Sequence, residues 1–140
     1  MVRISDIDII NLLLKDGRMK YTDIAKELNV SEAAIRKRIN NMINTGKIKG
    51  FTTIIEPSLI GMNSDVIIGL DTTPEEFTNV LKLMKKNKKI KHLWVSTGDH
   101  MIMMRVWLKN SDKLYELIKK LKQTKGITKV CPAILVEQFF

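Results

Sequence analysis

The sequence predicts an α+β protein: an N-terminal helix-turn-helix head, winged-helix-like in outline, followed by a ferredoxin-like β-α-β-β-α-β domain. Residues 1–50 show three short helical patterns separated by turn signals. Residues 51–63 read as a strand and linker, and helix and strand periodicities then alternate over 64–140. Apolar residues at three- and four-residue spacing mark the buried stripe of a helix, whereas period-two alternation marks a strand.

In the head, Ser5 is placed to cap a helix carrying Ile9, Ile10, Leu12, Leu13 and Leu14, which the turn at Asp16, Gly17 and Arg18 ends. Thr22 is the expected cap of a shorter second helix with Ile24, Ala25 and Leu28 on one side. Asn29, Val30 and Ser31 then make a tight turn, and Ser31 caps a third helix running to Gly46. Its expected buried stripe is Ile35, Ile39, Met42 and Ile43. Two helices joined by so short a turn form the helix-turn-helix unit, with the first helix packed behind them.

After Gly46 the stretch KIKGFTTIIEP alternates around β-branched residues, which predicts a short strand or hairpin ended by Pro57. Residues 58–63 follow as a turn or linker. Strands are then expected at 65–72, 90–97, 101–109 and 127–139, with helices at 74–87 and 111–124. In the third of these strands Ile102, Met104, Val106 and Leu108 suit packing on the helices. Met101, Met103, Arg105 and Trp107 form the other face, which is too apolar for water alone and implies a symmetric dimer interface.

The 140 residues carry 24 Lys and Arg against 15 Asp and Glu, a net +9. Such a balance favours a polyanionic partner, nucleic acid or an anionic membrane surface. Residues 1–50 contribute ten basic and six acidic side chains, and the rest fourteen and nine, so charge by segment does not locate the contact. A lone Cys131 fits a reducing compartment. Asp6, Asp8 and Asn11 interrupt the apolar N-terminal stretch, unlike a secretory signal. No apolar run approaches the roughly 20 residues that span a bilayer, and a cytoplasmic protein without a membrane partner is expected.

The third helix is where chemistry gathers. Off its buried stripe lie Glu32, Ala33, Arg36, Lys37, Asn40, Asn41 and Asn44. Arg36, Asn40 and Asn44 repeat every four residues, and Lys37 with Asn41 makes a parallel row. Arg or Lys pairs with guanine O6 and N7, and Asn with adenine N6 and N7, in the major groove. A helix face that is merely solvated more often carries Glu, Lys and Gln, because Asn is a poor helix former. Ala33, near the helix start, permits close approach, and recognition helices contact bases with their N-terminal residues. Ser31, Tyr21 and Thr22 suit phosphate contacts, as does Lys47 just past the helix.

These residues resemble the Lrp/AsnC family of transcription regulators, closest to the short archaeal LrpA-type (feast/famine) branch. The likeness runs through DIAKELNVSEAAIRKRI, GKIKGFTTIIEPSLIG, VSTGDHMIMMRVW and GITKVCPAILVE, so it covers essentially the whole chain. It implies dimers that often assemble into octamers on pseudo-palindromic promoter DNA, frequently with autoregulation and with amino acids as effectors. The family's effector site maps onto Thr97, Gly98, Asp99, His100 and Met101, with help from the turn at Gly126. Here Met101 replaces the second acid of a Gly-Asp-x-Asp pattern. Gly-Asp is equally ordinary turn chemistry, and the residues themselves leave both readings open.

Other chemistry finds less support. His92, His100 and Cys131 lack metal-ligand spacing, and Cys131 precedes Pro132 in an apolar strand where an inert thiol is the default. No phosphate loop, nucleophile elbow or catalytic acid pair is visible, so neither an enzyme nor a cofactor is expected. Met101, Met103 and Met104 suit core and interface gaps better than a cofactor box. An RNA-binding or small-molecule-binding ferredoxin-like module is the alternative, but the strand at 101–109 offers one Trp where RNA-recognition domains stack several aromatics.

Overall fold

The computed structural model describes residues 4–139; Met1 to Arg3 and Phe140, inside the expected domain bounds, lie outside the described residues. The chain divides into two compact units, Met1–Ile54 and Ile55–Phe140.

The first unit is three helices, α1 (Asp6–Lys15), α2 (Tyr21–Glu27) and α3 (Glu32–Asn44). Ser5 caps α1 through a reciprocal box: the Asp8 N–H donates to Ser5 Oγ at 3.2 Å, and the Ser5 N–H donates to Asp8 Oδ2 at 2.9 Å. That backbone bond and the Ser5 hydroxyl hold the Asp8 carboxyl below its ordinary range. The α2 cap is Lys20 rather than Thr22, which lies inside the helix. The turn rests on Asn29 at φ 53°, a left-handed conformation that Asn tolerates, and the Val30 N–H donates to the Ala25 carbonyl at 2.9 Å. Ser31 then caps α3, accepting from the Ala34 N–H at 3.2 Å. Ile9, Ile24, Ile35, Ile39 and Met42 are fully buried together. Ile43, expected in this stripe, is 40% exposed, and Leu14 projects into solvent.

The expected strand at 47–56 is absent. The segment makes no ladder, Phe51 and Ile54 stay exposed, and the chain enters a 3₁₀ turn at Pro57–Ile60. A strand exists only where a neighbour supplies ladder hydrogen bonds, and none of the described residues does so here. The head is therefore a helix-turn-helix without a β-wing among the described residues.

The second unit holds β1 (Ser64–Thr72), α4 (Phe77–Lys85), β2 (Ile90–Val95), β3 (Ile102–Leu108), α5 (Ser111–Lys122) and β4 (Ile127–Ile134). The strands form one antiparallel sheet in the order β2-β3-β1-β4, the ferredoxin-like arrangement that the element order implies. Val66, Ile68 and Leu70 of β1 lie opposite Val106, Met104 and Ile102 of β3, in one core with Val80 and Met84 of α4 and Leu114, Leu117 and Leu121 of α5. β4 is shorter than expected, ending at Ile134. It lies at the sheet edge, where Pro132 costs no ladder bond to a further strand. At the turn before β4, Gly126 has φ +87° and a Cβ there would meet the Glu76 Cβ at 2.2 Å, so only glycine fits.

The second sheet face mixes apolar and charged side chains: Met101, Met103 and Trp107 share it with the Asp65–Arg105 pair. Met101, Met103, Arg105 and Trp107 are half-buried within the chain itself. Arg105 is clamped by Asp65, Nε to Oδ1 at 2.8 Å and Nη2 to Oδ2 at 2.5 Å, and Nη2 also reaches Gln138 Oε1 at 2.8 Å. The clamp raises the Arg105 pKa further. Lys91 Nζ and the Arg105 guanidinium lie 5.2 and 5.9 Å from the Trp107 ring centre. The buried Trp107 indole N–H has no acceptor among the described residues.

Candidate nucleic-acid interface and effector loop

The exposed side of α3 is one continuous open surface lined by Glu32, Ala33, Arg36, Lys37, Asn40, Asn41 and Asn44, the full set that periodicity assigns to it. Helical geometry places these residues outward because Ile35, Ile39 and Met42 turn inward at three- and four-residue spacing. The α3 backbone is held at its start by the Ser31 cap and at its end by the Thr45 N–H, which donates to the Asn41 carbonyl at 2.9 Å. The surface amides and cations are thus carried by a fixed frame.

Local partners pose Arg36. Its Nη2 lies 2.5 Å from Glu32 Oε1, one helical turn back, and its guanidinium sits 5.1 Å from the Tyr21 ring centre. The Tyr21 ring is therefore a platform for Arg36, and Thr22 remains exposed in the first turn of α2. The Arg36 and Glu32 side chains are 57% and 42% exposed, and such surface pairs are worth only about 0–1 kcal/mol. A phosphate or guanine could draw Arg36 away at small cost.

Sequence reasoning missed Asp6. Lys47 Nζ donates to Asp6 Oδ2 at 2.8 Å and Arg38 Nη1 to Asp6 Oδ1 at 3.2 Å. The Lys47 hydrogen bond, aided by Arg38 and opposed by partial burial, keeps the Asp6 carboxyl ionised below its usual range. Lys47, expected to grip phosphate, is thus partly neutralised by α1. Charge pairing across 41 residues leaves no local sequence signal.

In the second unit, the loop joining β2 and β3 is latched rather than loose. The His100 ring lies over Gly69 of β1, where a Cβ would meet Cδ2 at 2.2 Å. His100 Nδ1 donates to Asp71 Oδ2 at 2.9 Å, and the Met101 N–H donates to Asp71 Oδ1 at 3.1 Å. The Ser96 hydroxyl donates to the His100 carbonyl at 2.5 Å, and the Ser96 N–H to the Met101 carbonyl at 3.0 Å. The His100 bond, against the effect of burial and with help from Met101, lowers the Asp71 pKa. Thr97, Gly98 and Asp99 remain exposed beyond this latch, and the space beside Gly98 is open. Asp71 and Ser96 were not legible as loop residues, although an acid closing the apolar β1 strand was the available cue.

His92 stacks on Trp94 with ring centres 5.4 Å apart, and Cys131 is half-buried in β4. Among the described residues no three His, Cys, Asp or Glu side chains converge as metal ligands, and no helix is long and apolar enough to cross a membrane.

Comparison with known proteins agrees with this geometry. Residues 3–49 match a winged helix-turn-helix DNA-binding family, and residues 65–139 match the Lrp/AsnC ligand binding domain. The chain is 40% identical over 139 residues to the HTH-type transcriptional regulator LrpA of Pyrococcus abyssi, covering 99% of both chains. Its fold is similar to that of E. coli AsnC, with TM-score 0.76 and 22% identity over 99% of this chain and 96% of that one. A Neisseria meningitidis transcriptional regulator in complex with L-Met shares the fold at TM-score 0.76 and 12% identity, over 100% of this chain and 93% of that one.

Proposed function

Because the chain belongs to the Lrp/AsnC family of helix-turn-helix transcription regulators, we propose that α3 is its reading head and lies in the DNA major groove. Arg36, Lys37, Asn40, Asn41 and Asn44 then meet base edges, with Ala33 and Glu32 at the close-approach end. Tyr21, Thr22, Ser31 and Lys47 set register on phosphates. The observation that carries this reading is the continuous exposed face of α3, in which two cations and three amides share one capped helix. Asn and Arg supply the bidentate patterns that distinguish adenine and guanine.

A binding selection from a random duplex library tests it. The expected result is an inverted repeat whose half-sites lie one helical turn, or a multiple, apart. Arg36→Ala and Asn40→Ala should each relax preference at particular positions, by about 1–3 kcal/mol per lost contact. Recovery of no preferred sequence, or an unchanged preference in both variants, sinks the assignment.

The inverted repeat requires a homodimer, and the sheet face of Met101, Met103, Arg105 and Trp107 supports one. Met101, Met103 and Trp107 stay only half-buried within one chain, and a second copy placed on them takes that apolar surface out of water. Assembly of dimers into an octamer, autoregulation and a cytoplasmic setting follow the family pattern, with no catalytic step required.

An amino-acid effector at the β2–β3 loop is the finer reading of the ligand-binding domain. The latch holds the loop backbone still while Gly98 leaves open space and Asp99 offers a free carboxylate to an ammonium group. The L-Met complex of the Neisseria regulator is a precedent in that protein. A calorimetric titration with each of the twenty amino acids should give heat for at least one, and Asp99→Asn should abolish it. Twenty flat titrations would leave the loop a plain β-turn.

A further inference from the structure

The helical layer of the second unit carries nearly all of the molecule's excess charge, and neither the reading head nor the effector loop uses it. Residues 77–90 and 111–125 hold ten lysines against Asp112 and Glu116, a net +8 of the chain's +9. The rest of the chain is close to balance, with fourteen basic and thirteen acidic side chains. All ten lysines are exposed. Among the described residues only Lys113, 3.0 Å from Glu116, and Lys125, 3.1 Å from Glu76, have an acidic partner.

Helix electrostatics explain part of the pattern, since lysines in the last turns of α4 and α5 face the negative helix ends. They do not explain Lys86, Lys88 and Lys89, which lie beyond the last turn of α4. Nor do they explain why Lys86 and Lys89 of the α4–β2 turn meet Lys113 and Lys120 of α5 across a groove of 470 Å³ floored by Met84 and Leu117, with Glu116 beside Lys113. The ten cations are all lysine with no arginine. A mobile ammonium is a point charge that suits a polyanion held by charge alone, whereas arginine favours fixed bidentate partners.

Double-stranded DNA is such a polyanion, with one negative charge per ~1.7 Å of axis. It is also brought to this molecule by the head, which raises the effective concentration of flanking duplex around the second unit. We infer that the lysine face of α4 and α5 is a second, sequence-independent DNA contact that engages phosphates flanking the sites read by α3. It rests on the family's DNA binding but not on which α3 residues read bases.

The test uses the full chain and a random-sequence duplex of about 80 base pairs, long enough to run past one head. Binding is measured by anisotropy across a salt series. Lys86→Gln, Lys89→Gln and Lys120→Gln combined should make the slope of log affinity against log salt shallower by about 2–3, since each phosphate contact contributes ~0.9. The same triple change to arginine should keep the wild-type slope. Adding Arg36→Ala should leave the difference between lysine and glutamine proteins intact, so a failure of the head assignment is read separately. Equal slopes for wild type and glutamine variant overturn the inference. So does loss of the slope in the arginine variant, which would mean that charge is not what matters. If gel filtration shows that the glutamine variant has changed its assembly state, the face is a protein interface instead. If the variant loses binding only to phosphatidylserine vesicles, its partner is a membrane surface.

Discussion

Asp6 shows how much a single carboxylate can set. It holds both Lys47 and Arg38, so it withdraws two cations from the surface of the DNA-reading unit. Asp6→Asn should raise affinity for random-sequence DNA several-fold at low salt and steepen its salt dependence. Lys47→Ala should do the reverse, weakening all sequences alike and lowering the slope by about 0.9 if one phosphate contact is lost; filter binding across a salt series reads both. Ile39 makes the opposite kind of contribution, through volume rather than charge. It is fully buried against Ile9, Ile24 and Ile35, and Ile39→Ala should cost about 2–5 kcal/mol in denaturant melts of the head. The same substitution at exposed Ile43 should cost far less.

The latch between β1 and the β2–β3 loop behaves as one element because Asp71 accepts from both His100 and the Met101 backbone. Its pKa lies below the usual aspartate value of about 3.9. A depressed carboxyl contributes stability that is fully present above that ordinary value and is lost as pH falls through the depressed one. The Met101 amide resonance should therefore shift only in strongly acidic solution, and Asp71→Asn should remove that step. Gly69→Ala should displace the His100 ring and speed amide exchange in residues 96–101 while the sheet persists. Gly126→Ala meets both a left-handed backbone and the Glu76 side chain, so a loss of more than about 1 kcal/mol is expected in thermal melts.

For the whole molecule, the proposed dimer through the sheet face predicts the state of assembly. The proposed dimer takes Met103 and the exposed part of Trp107 out of water. Sedimentation should give a dimer or a multiple of it, and Met103→Asp should shift the population toward monomer. A wild-type monomer at micromolar concentration would refute the interface.

The local periodicities of the sequence determined the three head helices, the β-α-β-β-α-β order and the outward set from Glu32 to Asn44. Helical and strand spacing decide which side chains share a face before any packing occurs. Caps at Ser5 and Ser31 were equally legible, because a cap joins residues only a few positions apart. Tertiary structure alone decided what depends on distant neighbours. The expected strand at 47–56 lacks a ladder partner among the described residues. Asp6 reaches Lys47 across 41 positions, and Asp71 reaches His100 across 29. Lys86 and Lys89 came to share a groove with Lys113 and Lys120 only when the fold set the end of α4 beside α5.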